Sequence, residues 1–314
     1  MADISASMVK ELREMTGAGM MDCKKALAET NGDMDKAVEY LREKGLAKAA
    51  KKASRIAAEG ICETTVSADG KVAAIVEVNS ETDFVAKNDK FRGYVKTVVE
   101  QAANSTATDI DAFLAETWAA DPSKTVAEEL AAQIAVIGEN MKIRRFERVV
   151  AENGFVESYI HSGGKIGVLI VLDASEMNAA AKECAKNVAM QVAAMNPKYV
   201  SKDDVDADYI EHEKEIIKAQ IMNDPKESQK PEKVIEGMIS GRINKELKEI
   251  CLLDQVYVKA EDGKQSVAQY VAQVAKDNGM TLAIKKFVRF ETGEGLEKKQ
   301  EDFAAEVAAQ MAGV

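Results

Sequence analysis

The stretch Gly70-Lys71-Val72-Ala73-Ala74-Ile75-Val76-Glu77-Val78 recurs further along the chain. Its second copy is Gly164-Lys165-Ile166-Gly167-Val168-Leu169-Ile170-Val171-Leu172, 94 positions on, from 70 to 164. Both runs are short and rich in β-branched residues, the pattern of a buried strand. The segments before them match at the same offset, with Thr65-Val66 over Tyr159-Ile160, and so do the helical patterns from about Phe91 and from about Ala185. Each copy therefore reads as a β-hairpin followed by a helix. A lone hairpin must cover one face to be stable, so helices on one side of each small sheet give an α+β core of two related halves. A third strand for each half is available in Met141 to Val149 and in Thr281 to Glu291, two similar runs of basic and apolar residues.

Other patterns surround the repeat. The first 45 residues read as three short helices. Ser5 caps the first, Met8, Leu12 and Met15 form its apolar stripe, and Gly17 ends it. The second runs from about Asp22 to Thr30 and stops at Asn31-Gly32. The third is capped by Asp33, turns Ala37, Val38 and Leu41 inward, and has Gly45 as its stop. Leu46 to Glu59 follows as an Ala/Lys-rich connecting helix whose Lys48, Lys51, Lys52 and Arg55 read as a solvated face rather than a nucleic-acid patch. Between Asp203 and Leu252, the residues Val205, Tyr209, His212, Ile216, Ala219 and Asn223 recur at steps of four and three, a heptad-like seam. Pro225 and Pro231 mark a turn, and Ile235, Ile239, Ile243, Leu247 and Ile250 return at helical spacing. Two such helices would protrude roughly 30 Å. From Gly263 the chain reads helix, strand, then a final amphipathic helix carrying Phe303, Val307 and Met311.

Composition narrows the function classes. A net charge of -11 argues against bulk binding to nucleic acid or to an anionic membrane surface. The cysteines Cys23, Cys62, Cys184 and Cys251 are scattered without disulfide or ligand spacing, which points to a reducing, cytoplasmic compartment. The sequence has no transmembrane run, and Met1-Ala2-Asp3-Ile4-Ser5 has neither the basic end nor the apolar core of a secretory signal. Catalytic constellations are nearly absent, and no cofactor or metal is expected. His161 and His212 lie on different elements without a cluster at metal-binding spacing. Gly17-Ala18-Gly19 and Gly293-Glu294-Gly295 read as turns, because neither follows a strand and opens a helix in the way a phosphate loop does.

One motif remains to be placed. Directly after the first repeated strand comes Thr82-Asp83-Phe84-Val85-Ala86-Lys87-Asn88. Asn79, Ser80 and Thr82 can cap a new turn there, so Asp83 and Phe84 sit where a strand gives way to a helix. Two readings fit the residues about equally. In one, Phe84 enters the local core and Asp83 is a charge at a helix N-terminus. In the other, an acid and an aromatic project together from a rigid strand end as a probe for a partner.

Glu77 to Asn88 resembles the central signature of the elongation factor Ts family, guanine-nucleotide exchange factors for elongation factor Tu in bacteria, with Ser80 where that family usually has Cys. Leu12 to Leu27 is similar to the family's opening helices. Ile137 to Arg145, Tyr159 to Leu169 and Phe303 to Ala308 are similar to further family stretches, in order along the chain. The resemblance implies a ubiquitin-associated-like three-helix bundle over 1–54 and a first core subdomain over 55–149. It implies a second subdomain over 150–262 with a coiled-coil insert at about 203–252, and a C-terminal helical module over 263–314 that completes the core. It implies that Thr82, Asp83, Phe84 and Val85 displace Mg²⁺ from the partner, with further partner contacts from Met20, Met21, Ile137, Gly138 and His161. The implied partner is elongation factor Tu, GDP-bound and nucleotide-free, and the implied role is exchange without covalent catalysis. Two readings of other classes are an adaptor that binds proteins without exchange, and a nucleotide-using enzyme with an unfamiliar site.

Overall fold

The computed structural model describes residues 4–297. The N-terminal helices are α1 (Ala6–Thr16), α2 (Met20–Glu29) and α3 (Met34–Lys52). The Ser5 side chain accepts from the Met8 N–H, and Gly17 closes α1 in the left-handed region at φ 66°. These helices share a small core of Val9, Leu12, Cys23, Ala26, Leu27 and Ala37. Met15 is exposed, and Val9 takes its place beside Leu12. Gly45 does not stop α3, which runs on to Lys52, while residues 53–58 of the expected connecting helix are turn and irregular chain and Glu59 already begins a strand. A glycine inside a helix costs only about 1 kcal/mol, which tertiary packing readily outweighs. The helix continues because it packs on the helix Val126–Ile137, where Gly45 faces Ala131 and Ala135.

The first half comprises β1 (Glu59–Val66), β2 (Val72–Ser80), α4 (Asp83–Ala86), α5 (Asp89–Asn104), α6 (Ile110–Ala115), α7 (Val126–Ile137) and β3 (Met141–Val150). The second comprises β4 (Phe155–His161), β5 (Ile166–Ala174), α8 (Ala179–Met195), α9 (Ala207–Asn223), α10 (Glu232–Ile250), α11 (Val267–Asp277) and β6 (Leu282–Glu291). The strands form two antiparallel three-stranded sheets, ordered β1-β2-β3 and β4-β5-β6, so the protein is α+β with mixed helices and antiparallel strands.

The sequence repeat is realised pair by pair. Val66 opposite Ala73 and Glu63 opposite Val76 become Ile160 opposite Gly167 and Glu157 opposite Ile170, each moved by 94. The bulge between Glu77 and Val78 recurs between Val171 and Leu172, again 94 further on. Phe91, Tyr94, Val95 and Val98 of α5 are buried, as are Ala185, Val188, Ala189 and Val192 at the same offset in α8.

Helices cover the outer face of each sheet, and the inner faces meet. Along β2, Ala74, Val76 and Val78 pack under α5, while Ala73 and Ile75 join Leu169, Val171, Val288 and Phe290 between the sheets. That inter-sheet layer ends in a buried carboxylate. Glu77, 0% exposed, accepts from Arg144 Nη1 at 3.0 Å, Arg145 Nε at 2.6 Å, Asn79 Nδ2 at 3.0 Å and the Gly293 N–H at 2.8 Å. Arg144 and Arg145 reach on to the Glu294 backbone oxygen and carboxylate, so the turn after β6 is bound to the first sheet. The four cysteines are buried free thiols, and burial pushes the Cys62 and Cys184 thiols up to about 12.

α9 and α10 pair as a hairpin with its own core of Ile217, Ile221, Ile243 and Leu247. The α10 face is as expected, and Val205 and Tyr209 pack into this core as expected, but beyond them the α9 seam is rotated by one position. Ile210, Ile217 and Ile221 face inward, while His212, Ile216, Ala219 and Asn223 are exposed. Ile216 and Ile217 are adjacent, and the isoleucine triad offers more apolar area than a seam containing His, Ala and Asn. The hairpin leaves and rejoins the core at neighbouring points, since Tyr199 bridges Cys251 and its backbone oxygen accepts from the Leu252 N–H at 2.9 Å. Replacing residues 207–249 with a short glycine-rich turn is therefore expected to leave near- and far-UV signatures of a folded core. Loss of cooperative thermal unfolding in that variant would show that the hairpin is part of the core. The expected final helix with Phe303, Val307 and Met311 lies outside the described residues.

Candidate functional site

Thr82 is the N-cap of α4, its hydroxyl accepting from the Val85 N–H at 3.3 Å. A four-residue helix cannot hold its shape alone, since isolated helices below about 12–15 residues are marginal. Here the segment after α7 holds it. Glu139 takes the Thr82 N–H at 3.0 Å and the Thr82 hydroxyl at 2.7 Å on separate carboxylate oxygens. Reciprocally, Glu81 accepts from the Asn140 N–H, and the Ser80 hydroxyl donates to the Thr82 carbonyl at 3.0 Å. Asn140 Nδ2 and Lys52 Nζ extend the ties to the Arg55 and Gly138 backbone oxygens, each at 2.7 Å. Lys48 likewise meets Asp22 at 2.9 Å; Lys48, Lys51 and Arg55 are exposed, as expected of a solvated face, with Lys48 and Arg55 also carrying ion pairs.

On this fixed turn Phe84 is 81% exposed. The reading in which it enters the local core is therefore overturned. Val85 and Ala86 pack inward instead, against the core under β2. Asp83 at the first position of α4 pairs with Lys87 at 2.6 Å, and that ammonium holds its carboxyl below the usual carboxylate range. The acid stays charged at neutral pH and sits beside an apolar ring held in water.

The second half closes the other side of the site. Asp83 and Lys87 share a cavity of about 230 Å³ with Glu59, Arg92, Gly163 and Lys165. Arg92 Nη2 donates to the Gly163 backbone oxygen, joining α5 to the β4–β5 turn, and Lys165 pairs with Glu59 at 2.8 Å. His161 at the start of that turn is exposed, its Nδ1 2.9 Å from the Tyr159 hydroxyl.

The structure thus brings Thr82 to Val85 together with Ile137 and Gly138 through Glu139, and places Asp83 on one groove with the turn that follows His161. Met20 and Met21 stand on α2, 57% and 76% exposed. Sequence reasoning passed over Glu139, Arg92 and Lys165. Glu139 carried a faint signal, an acid directly after a helix-ending glycine and one residue before an amide side chain. Among the described residues no group of three or more His, Cys, Asp or Glu is placed to hold a metal ion. No described helix is long and apolar enough to cross a membrane.

Residues 81–294 match the model of the family described as Elongation factor TS. Over 305 residues, 97% of this chain and 98% of the relative, the sequence is 55% identical to elongation factor Ts of Clostridium perfringens (strain 13 / Type A). It is 53% identical to elongation factor Ts of Clostridioides difficile (strain 630) over 311 residues, 99% of this chain and all of the relative. For Clostridium kluyveri (strain NBRC 12016) the identity is 52% over 310 residues, 99% of each chain.

Proposed function

The chain belongs to the elongation factor Ts family of translation elongation factors, and on that premise we propose that it is a guanine-nucleotide exchange factor for elongation factor Tu. It acts in the cytoplasm, on the GDP-bound and then the nucleotide-free partner, with no covalent step. The observation that carries this reading is Phe84, a ring 81% exposed on a turn clamped by Glu139 and adjoining a charged Asp83. Releasing a bound nucleotide makes and breaks no bond. It requires a protein that prefers the empty state of its partner, so that each ligand weakens the other's binding by the same factor. Much of the affinity of a GTPase for GDP comes from the Mg²⁺ ion and the phosphate-binding backbone. Phe84, inserted beside that region, holds a partner segment out of place, and the Asp83 carboxylate competes for groups that position the ion.

Thr82 and Val85 set the turn, and Ile137, Gly138, His161, Met20 and Met21 are the further contacts. Residues 1–54 act as a ubiquitin-associated-like partner-binding bundle. The subdomains over 55–149 and 150–262 carry the central site, 203–252 is an inserted coiled coil, and 263–314 completes the core. The test is release of fluorescent GDP from elongation factor Tu, expected to accelerate with the concentration of this protein. No acceleration would leave an adaptor, and tight GDP binding by the isolated chain would point instead to a nucleotide-using enzyme.

A further inference from the structure

The geometry points to Glu139 as the positioning residue of the Asp83–Phe84 turn, an assignment that rests on the exchange-factor reading of that turn. The Thr82 hydroxyl has one proton and two lone pairs. Its proton goes to Glu139 Oε1 at 2.7 Å, which turns a lone pair toward the Val85 N–H at 3.3 Å and fixes the cap. The second oxygen, Oε2, takes the Thr82 N–H at 3.0 Å, so one carboxylate fixes both the backbone and the side chain of the capping residue. This requires two acceptors and no donor. An ionised carboxylate provides that, and a carboxamide of the same shape does not, because its NH₂ would face one of the two Thr82 donors.

The clamp matters because α4 is a single turn whose tip is solvated. Phe84 adds almost no burial to hold it, and only Val85 and Ala86 anchor it to the core. Without Glu139 the cap hydroxyl is free to rotate and the turn frays, so the ring and the acid spend less time in the geometry that meets the partner. Glu139 itself touches Thr82 and acts through it. The reach is across the fold, from the end of α7 to the end of β2, 57 positions apart in sequence.

Three measurements on Glu139→Gln test this. In the free protein, amide hydrogen exchange at Thr82 and Val85 is expected to rise about tenfold over wild type, with amides of α5 and β2 unchanged. GDP release from elongation factor Tu at saturating protein is expected to slow about tenfold, with little change in the half-saturating concentration. In a background already carrying Asp83→Ala and Phe84→Ala, the same substitution should slow release less than about twofold, since its effect passes through those residues. Thr82→Val should reproduce the pattern with Glu139 intact, and Thr82→Ser should restore wild-type behaviour. Unchanged Thr82 and Val85 exchange would overturn the clamp, and so would an equal loss of activity in both backgrounds. The amide measurement needs no partner, so it separates failure of the clamp from failure of the exchange-factor reading.

Discussion

Phe84→Ala is expected to slow GDP release from elongation factor Tu by about 100-fold while leaving the midpoint of thermal unfolding within about 1 °C of wild type. Buried aromatic anchors at interface centres cost about 2–4 kcal/mol when truncated, and 2.7 kcal/mol is a factor of 100. The unfolding midpoint stays because the ring is 81% exposed in the free protein and contributes little to its own fold. Asp83→Ala removes the partner of Lys87 at a half-exposed site on the surface, so it too should leave the fold intact. Its effect on release is expected to be smaller than that of Phe84→Ala, because a solvated carboxylate must shed water to act. Circular dichroism and stopped-flow release on the same samples check both. Normal release by the double variant would remove this turn from the mechanism.

The opposite signature is expected at Glu77. Glu77→Ala should lower stability by about 3 kcal/mol, because removing one member of a buried ion cluster leaves the other charges without their partner. Arg144 and Arg145 are partly exposed, which keeps the cost at the lower end of the range for such sites. At roughly 2–4 °C per kcal/mol for a chain of this size, the unfolding midpoint should fall by about 6–12 °C. Glu77→Gln retains some hydrogen bonds and should lose less. Release rates measured well below the new midpoint should stay near wild type, since Glu77 joins the sheets and does not line the groove at Asp83. A midpoint unchanged by Glu77→Ala would show that the inter-sheet layer does not depend on this carboxylate.

The core was legible in the sequence because each half repeats the same pattern of buried strands and helix faces, and a period of two or of 3.6 is fixed by the backbone itself. The offset of 94 carried over to hairpin pairing, to the bulge beside Glu77 and to the inward face of α8. Gly45 was misread because a local stop signal was outweighed by a contact with α7, some 90 residues away, which no local pattern contains. Beyond Tyr209 the α9 seam slipped by one position because heptad spacing alone did not weigh Ile217 and Ile221 against Ile216. At the site, the motif itself was visible but its exposure was not. Whether Phe84 faces water or the core depends on Glu139 and on Val85 filling the inward place, and both are tertiary facts. Glu77 did carry a readable signal, an acid inside an apolar strand with a pair of arginines waiting in the third strand.

This protein and Mg²⁺·GDP are expected to oppose each other on elongation factor Tu through the turn at Asp83 and Phe84. Calorimetric titration of elongation factor Tu with this protein, once nucleotide-free and once loaded with Mg²⁺·GDP, measures that opposition directly. Coupling between two sites is typically about 1–3 kcal/mol, a factor of roughly 5–150. A preference for the nucleotide-free partner at or above the upper end of that range is expected, reduced sharply by Asp83→Ala with Phe84→Ala. Equal affinity in the two wild-type titrations would leave no differential free energy to drive release, and would show that this protein is not an exchange factor.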